Sequence, residues 1–159
     1  MSNQPAARTR TSETRYAETP IQKVALVVGI VFLLVGIAGF IPGLTSNVDQ
    51  MTFAGHDSDA LLLGVFQVSM FHNLVHLLYG VAGLLLARTI RGARSYLVVG
   101  GIIYLVLFVY GLIFHDGEDA NFVPFNSADN WLHLVLGAGM ILLGLLLSRR
   151  RDGSLDSNH

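Results

Sequence analysis

No cysteine occurs anywhere in the 159 residues. That absence excludes a disulfide framework, a thiolate zinc site, an iron–sulfur cluster and a catalytic thiol, and it leaves the redox compartment unmarked. Charge is scarce as well: Asp, Glu, Lys and Arg together make up 13% of the chain, about half the share found in ordinary soluble domains. Proline is limited to Pro5, Pro20, Pro42 and Pro124, so none interrupts the apolar stretches that lie between them. What remains is 52% hydrophobic, with a mean hydropathy of +0.56. This composition excludes a water-soluble globule. There is also no phosphate loop, no dinucleotide fingerprint and no nucleophile beside a base, and the basic residues are too scattered to form a nucleic-acid groove.

Four long uncharged runs are present: Val24–Ile41, Ala60–Ala87, Tyr96–Phe114 and Trp131–Leu147. A hydrocarbon layer needs about 20 apolar residues in a helix, and lipid offers no partner to a free backbone amide. The expected fold is therefore all-α: a four-transmembrane-helix bundle with spans at about 21–42, 60–87, 95–115 and 129–148 and no strands. Residues 1–18 and 149–159 are polar and lack a periodic apolar face, and they read as disordered cytoplasmic tails around a single domain, 19–148. The first run is expected to stay as a span, because it exceeds a signal-peptide core and no small-x-small cleavage site follows. Thr19-Pro20-Ile21-Gln22 reads as its start, with an N-cap, a proline at the first helical position and a capping-box glutamine. The second run is too long for one upright helix, and a bend or interfacial start is expected near Gly64.

The few charges are strictly sorted. All ten Lys and Arg residues lie before the first run, between the second and third, or after the fourth; they include Lys23, Arg88, Arg91, Arg94 and Arg149. The two remaining loops carry Asp49, Asp57, Asp59, Asp116, Glu118, Asp119 and Asp129, and no basic residue. The positive-inside rule places both termini in the cytoplasm and the acidic loops outside a cell membrane. The acidic clusters read as solvated loop charges and caps, His56 and His115 as loop residues, and Phe122, Val123, Phe125 and Trp131 as interface anchors.

Polar residues recur inside the second and fourth runs in the same register. Asn73-Leu74-Val75-His76 with Gly80 matches Asn130-Trp131-Leu132-His133 with Gly137. Two parallel-related hairpins follow from this repeat, with a weaker echo of Gly29 and Gly36 in Tyr104 and Gly111. On a helix Asn73, His76 and Gly80 share one face, which His72 extends, and Asn130, His133 and Gly137 share its counterpart. Polar side chains avoid lipid, so the two stripes are expected to face each other. Their first role is structural: glycines allow close approach, and Asn and His bond across the gap.

The alternative is a haem- or metal-binding redox module built on His72, His76 and His133. Haem propionates would find no cation on the acidic side, and Asn73 between His72 and His76 replaces the glutamate of a zinc-protease helix. No cofactor is therefore expected, with haem or a divalent metal as the alternative. A transporter ranks third, because Leu84 to Ala87 and Ile141 to Leu147 offer no polar path. The expected partners are the lipid bilayer and a homo-oligomer or larger membrane complex, the latter from the small-residue pair Ala25 and Gly29. No enzymatic activity is expected.

Three further segments complete the pattern: Val27 to Gly36 after Thr19-Pro20-Ile21-Gln22, Phe53-Ala54-Gly55-His56, and Ala128-Asp129-Asn130-Trp131-Leu132-His133. With His72 to Leu77, they make residues 19–150 resemble the bacterial integral membrane family called domain of unknown function 4383. The resemblance implies a four-helix membrane protein of uncharacterised activity and supplies no catalytic residue.

Overall fold

The computed structural model describes residues 16–55, 57–114 and 126–149. His56, the acidic cluster Asp116 to Asp119 and the proposed anchors Phe122, Val123 and Phe125 lie outside these residues. The described chain is mostly helical, with helices α1 (Pro20–Ala38), α2 (Met70–Leu86), α3 (Ile90–Ile113) and α4 (Ser127–Arg149). Three of them, α1, α3 and α4, are long and apolar enough to cross a membrane; α2, with 17 residues, is shorter.

Each helix starts where a side chain satisfies its free amides. Thr19 is extended, and Gln22 Oε1 accepts from its backbone N–H at 3.1 Å, as the capping-box reading expects. Ser69 Oγ accepts from His72 N at 3.2 Å to open α2, and Thr89 Oγ1 accepts from Gly92 N at 3.0 Å to open α3. Asn126 and Asp129 cap α4 reciprocally: Asn126 Oδ1 accepts from Asp129 N at 3.0 Å, and Asp129 Oδ2 accepts from Asn126 N at 3.3 Å. Gln22 has a second task, since its Nε2 donates to Arg88 O at 3.0 Å and ties the start of α1 to the α2–α3 turn.

α1 packs antiparallel against α2, α3 packs antiparallel against α4, and the pairs meet where α1 touches α3 and α4 and where α2 touches α3. The contacts within each pair are backbone to backbone. A Cβ on Gly80 would come within 2.8 Å of Gly29 O, and one on Gly137 within 2.9 Å of Gly101 O. One on Gly39 would collide with the Asn73 amide, and one on Gly111 with the Asn130 amide. Gly29, Phe32 and Leu33 of α1, with Gly39 just past its end, thus occupy the places of Gly101, Tyr104, Leu105 and Gly111 of α3. The sequence echo had set Gly29 opposite Tyr104; the packing sets it opposite Gly101, because close approach selects the glycine and not the apolar spacing.

Side chains are distributed inside out. Leu34, Leu78, Val106 and Val135, one from each helix, are 61%, 70%, 61% and 66% exposed, whereas Gln22, His72, Asn73, Asn130 and His133 are buried. Between the helices lie Ala25, Phe32, Ala87, Ala93, Tyr96, Leu97, Tyr104 and Met140. Ala25 and Gly29, read from sequence as an exposed partner motif, are buried in this interior, because Gly29 is consumed by its contact with Gly80 and Gly83.

The connection between α1 and α2 departs from the expected absence of strands. Three short strands, β1 (Thr45–Ser46), β2 (Leu61–Leu62) and β3 (Phe66–Gln67), pair antiparallel in that order, with Thr45 opposite Leu62 and Leu61 opposite Gln67. Residues 60–68 therefore form a hairpin and not the first turns of a helix running from 60 to 87. Leu63 and Gly64 take positive φ, 52° and 69°, and turn the chain back on itself. A short apolar run cannot be assigned to helix or strand by periodicity, and Gly64 was the signal for a turn and not for a bend. Met51, Ala60, Leu62 and Val68 form a second small core, packed on Val35 and Ala38 of α1.

The glycine contacts make a direct expectation. Gly101→Ala places a methyl 2.7 Å from Gly137 O and should cost about 1–3 kcal/mol in detergent unfolding. Gly139→Ala meets nothing within 4 Å and should be neutral or stabilising by up to about 1 kcal/mol. Equal effects of the two changes would contradict this packing.

Candidate functional site

The polar residues singled out in the sequence gather at the end of the bundle remote from Arg88. His72 and His76 come from the first turns of α2, where the Ser69 cap fixes the helix start, and His133 comes from α4. All three line one cavity of about 110 Å³, which Asp129 and Tyr104 also border and which Leu62, Leu63, Phe66 and Val68 of the hairpin region cover.

The rings form a chain across the bundle. His72 and His76 meet edge-on with centroids 4.5 Å apart, and His76 lies 5.5 Å from Phe32. Phe32 lies 5.5 Å from Tyr104, whose ring is 5.2 Å from His133. Phe32 and Tyr104 are equivalent positions of α1 and α3, so this line of rings passes from one helix pair to the other through corresponding residues. His76 Nδ1 is buried and has no hydrogen-bond partner among the described residues.

The stripes do not face each other as whole faces. Asn73 and Gly80 turn toward α1, and Asn130 and Gly137 turn toward α3, because small residues and amides are used to close each antiparallel pair. Asn73 Nδ2 reaches Met51 Sδ at 3.7 Å, a link from α2 to the α1–α2 connection. The histidines alone converge from α2 and α4 on shared space.

Sequence reasoning missed Asp129, Tyr104 and Phe32. Asp129 counts in the sequence only as one acid of the two loops that lack basic residues, yet it is buried. Its Oδ2 accepts from Gln67 N at 3.0 Å as well as from Asn126 N, and Asn126 Nδ2 donates to Val65 O at 2.6 Å. α4 therefore holds the hairpin over the cavity. The signal was available: extending the Asn–His–Gly repeat one residue back sets Asp129 opposite His72. Among the described residues no group of three or more His, Asp and Glu side chains is disposed to hold a metal ion.

The family model described as domain of unknown function (DUF4383) matches residues 22–146, and the chain belongs to that family. No curated protein and no solved structure matches the chain.

Removing the Asp129 carboxylate leaves two backbone N–H groups without their acceptor. Asp129→Ala should cost about 1–3 kcal/mol and expose residues 60–68 to protease. The exposed Asp59→Ala should change stability by no more than about 0.5 kcal/mol. Unaltered cleavage of Asp129→Ala in limited proteolysis would refute the latch.

Proposed function

We propose that this chain, a member of the DUF4383 family, crosses the cell membrane four times with both termini on the cytoplasmic side. There it serves as a non-enzymatic structural or accessory component. The observation that carries this reading is the inverted polarity, with leucine and valine outside and glutamine, asparagine and histidine inside. In water this arrangement is unfavourable on both counts; in hydrocarbon it is favourable on both.

α2 is counted as a span although it is short. It packs antiparallel along α1, with Gly80 against Gly29 and Asn73 against Gly39, so it covers the same depth as its partner. At 1.5 Å per residue its 17 residues reach about 26 Å, and the hairpin supplies the rest of the thickness at its outer end. Lys23, Arg88, Arg91 and Arg94 lie at one end of the bundle, and Asp49, Asp57, Asp59 and Asp129 belong to the other. The asymmetry supports a cytoplasmic basic end.

A second reading is a module that holds a small ligand, such as a divalent metal, in the cavity that His72, His76 and His133 line; as they stand the three are not disposed as a ligand set, so metal binding there requires their side chains to draw together. A volume of about 110 Å³, room for about three or four water molecules, suits such a ligand better than a haem. Elemental analysis and an optical spectrum of the purified protein separate the two readings. Stoichiometric metal that falls in His76→Ala and His133→Ala supports the module. Its absence after loading with zinc, copper and iron would overturn it.

The absence of cysteine makes topology directly measurable. In intact cells Asp49→Cys should react with a membrane-impermeant maleimide, and Arg91→Cys should react only after permeabilisation. Labelling of Arg91→Cys in intact cells would overturn the orientation.

A further inference from the structure

α2 and α3 are joined by a tight turn, yet above it they are kept apart. Tyr79 of α2 seats its hydroxyl on Gly100 of α3, and Tyr96 of α3 seats its hydroxyl on Gly83 of α2. The two rings lie 4.9 Å apart and act as crossed spacers between the helices. Beside them runs a groove of about 240 Å³, walled by Ala82, Leu86, Val99 and Ile103. Along α3 it extends from Ser95 to Ile103, about 12 Å at 1.5 Å per residue. Leu86, Val99 and Ile103 are exposed, so the groove opens sideways, away from the bundle interior.

Charge marks one end of this groove. Leu86 and Ser95 are its members nearest the α2–α3 turn, and Arg88, Arg91 and Arg94 stand exposed around that turn. No acidic residue occurs between Leu61 and Phe114, so neither helix counters these cations. Both tyrosine hydroxyls are buried, and neither has a hydrogen-bond partner among the described residues. Tyr96 stands two residues past Arg94, about 3 Å farther along the helix axis.

We infer that this groove holds one acyl chain of an anionic glycerophospholipid from the cytoplasmic leaflet, with the head group on Arg88, Arg91 and Arg94. The inference rests on the membrane reading above. An apolar trough open to lipid fills with hydrocarbon, and the arginines select the charge of the head group to which that hydrocarbon belongs. The glycerol ester carbonyls then lie at the depth of Ser95, whose exposed side chain lines the groove one residue past Arg94.

The test uses the full chain reconstituted into vesicles of equal phosphatidylglycerol and phosphatidylcholine, then released in mild detergent for native mass spectrometry. Wild type should retain one phosphatidylglycerol in preference to phosphatidylcholine by about fivefold or more. Ser95→Phe, which fills the groove, should lose the adduct. The triple change Arg88→Gln, Arg91→Gln, Arg94→Gln should keep an adduct with no head-group preference. Val99→Trp serves as the filling variant if Ser95→Phe does not fold. Equal retention of the two lipids by wild type would overturn the inference, as would an undiminished adduct in the filled variant. A dimer that the filled variant breaks would also overturn it, because the groove would then belong to a second copy. Carbonate extraction of the same vesicles keeps the two readings apart: protein that stays in the pellet without lipid preference fails the lipid site alone, and protein released to the supernatant fails the membrane reading.

Discussion

Helices surrounded by hydrocarbon gain little from burying leucine against leucine, so something other than the hydrophobic effect must bring them together. In this protein the contact within each helix pair is of bare backbone with bare backbone, as the membrane reading proposed above requires. Gly29 lies on Gly80 and Gly83, and Gly101 lies on Gly137. At that separation dispersion acts along the whole helix pair, and the apolar side chains are left to face outward. The Asn73 and Asn130 amides seat on Gly39 and Gly111 and fix the register at one end, while Gln22 fixes it at the other through Arg88 O. A methyl group at any of these glycines disturbs an arrangement on which every later feature depends.

The two helix pairs are variations on one plan, and the candidate site lies where the plan diverges. Glycine and asparagine are kept in both halves because both halves need the same close contact. At the positions facing the other pair, Phe32 is answered by Tyr104 and His72 by Asp129. The cavity is therefore asymmetric, with two imidazoles on α2 opposed by one imidazole and one carboxylate on α4. Asp129 also holds the hairpin that covers the cavity through Gln67 N. The same carboxylate thus caps a helix, borders the site and secures its roof.

Much of this was legible in the sequence. The apolar runs located all four helices, Thr19-Pro20-Ile21-Gln22 marked the start of α1, and the Asn–His–Gly repeat marked residues that α2 and α4 turn into the bundle. The hairpin at 60–68 was not legible, because Ala60 to Phe66 is apolar without alternation, and only the positive φ of Leu63 and Gly64 separates a turn from a bent helix. The partners of the stripes were misjudged for a related reason. Periodicity tells which residues share a face but not which neighbour that face meets, and glycine and asparagine were taken up within each pair before the pairs met. Tyr79 and Tyr96 gave no sign of their spacing role, since their meaning lies in Gly100 and Gly83 on the opposite helix.

The central claim is that the outward apolar faces of all four helices, the short α2 included, touch acyl chains. Nitroxides placed one at a time at Leu34, Leu78, Val106 and Val135 in bilayers measure this most directly through collision with oxygen and with a water-soluble nickel chelate. The account expects all four positions to be accessible to oxygen and shielded from nickel. Nickel access at any of the four, and at Leu78 above all, would contradict it.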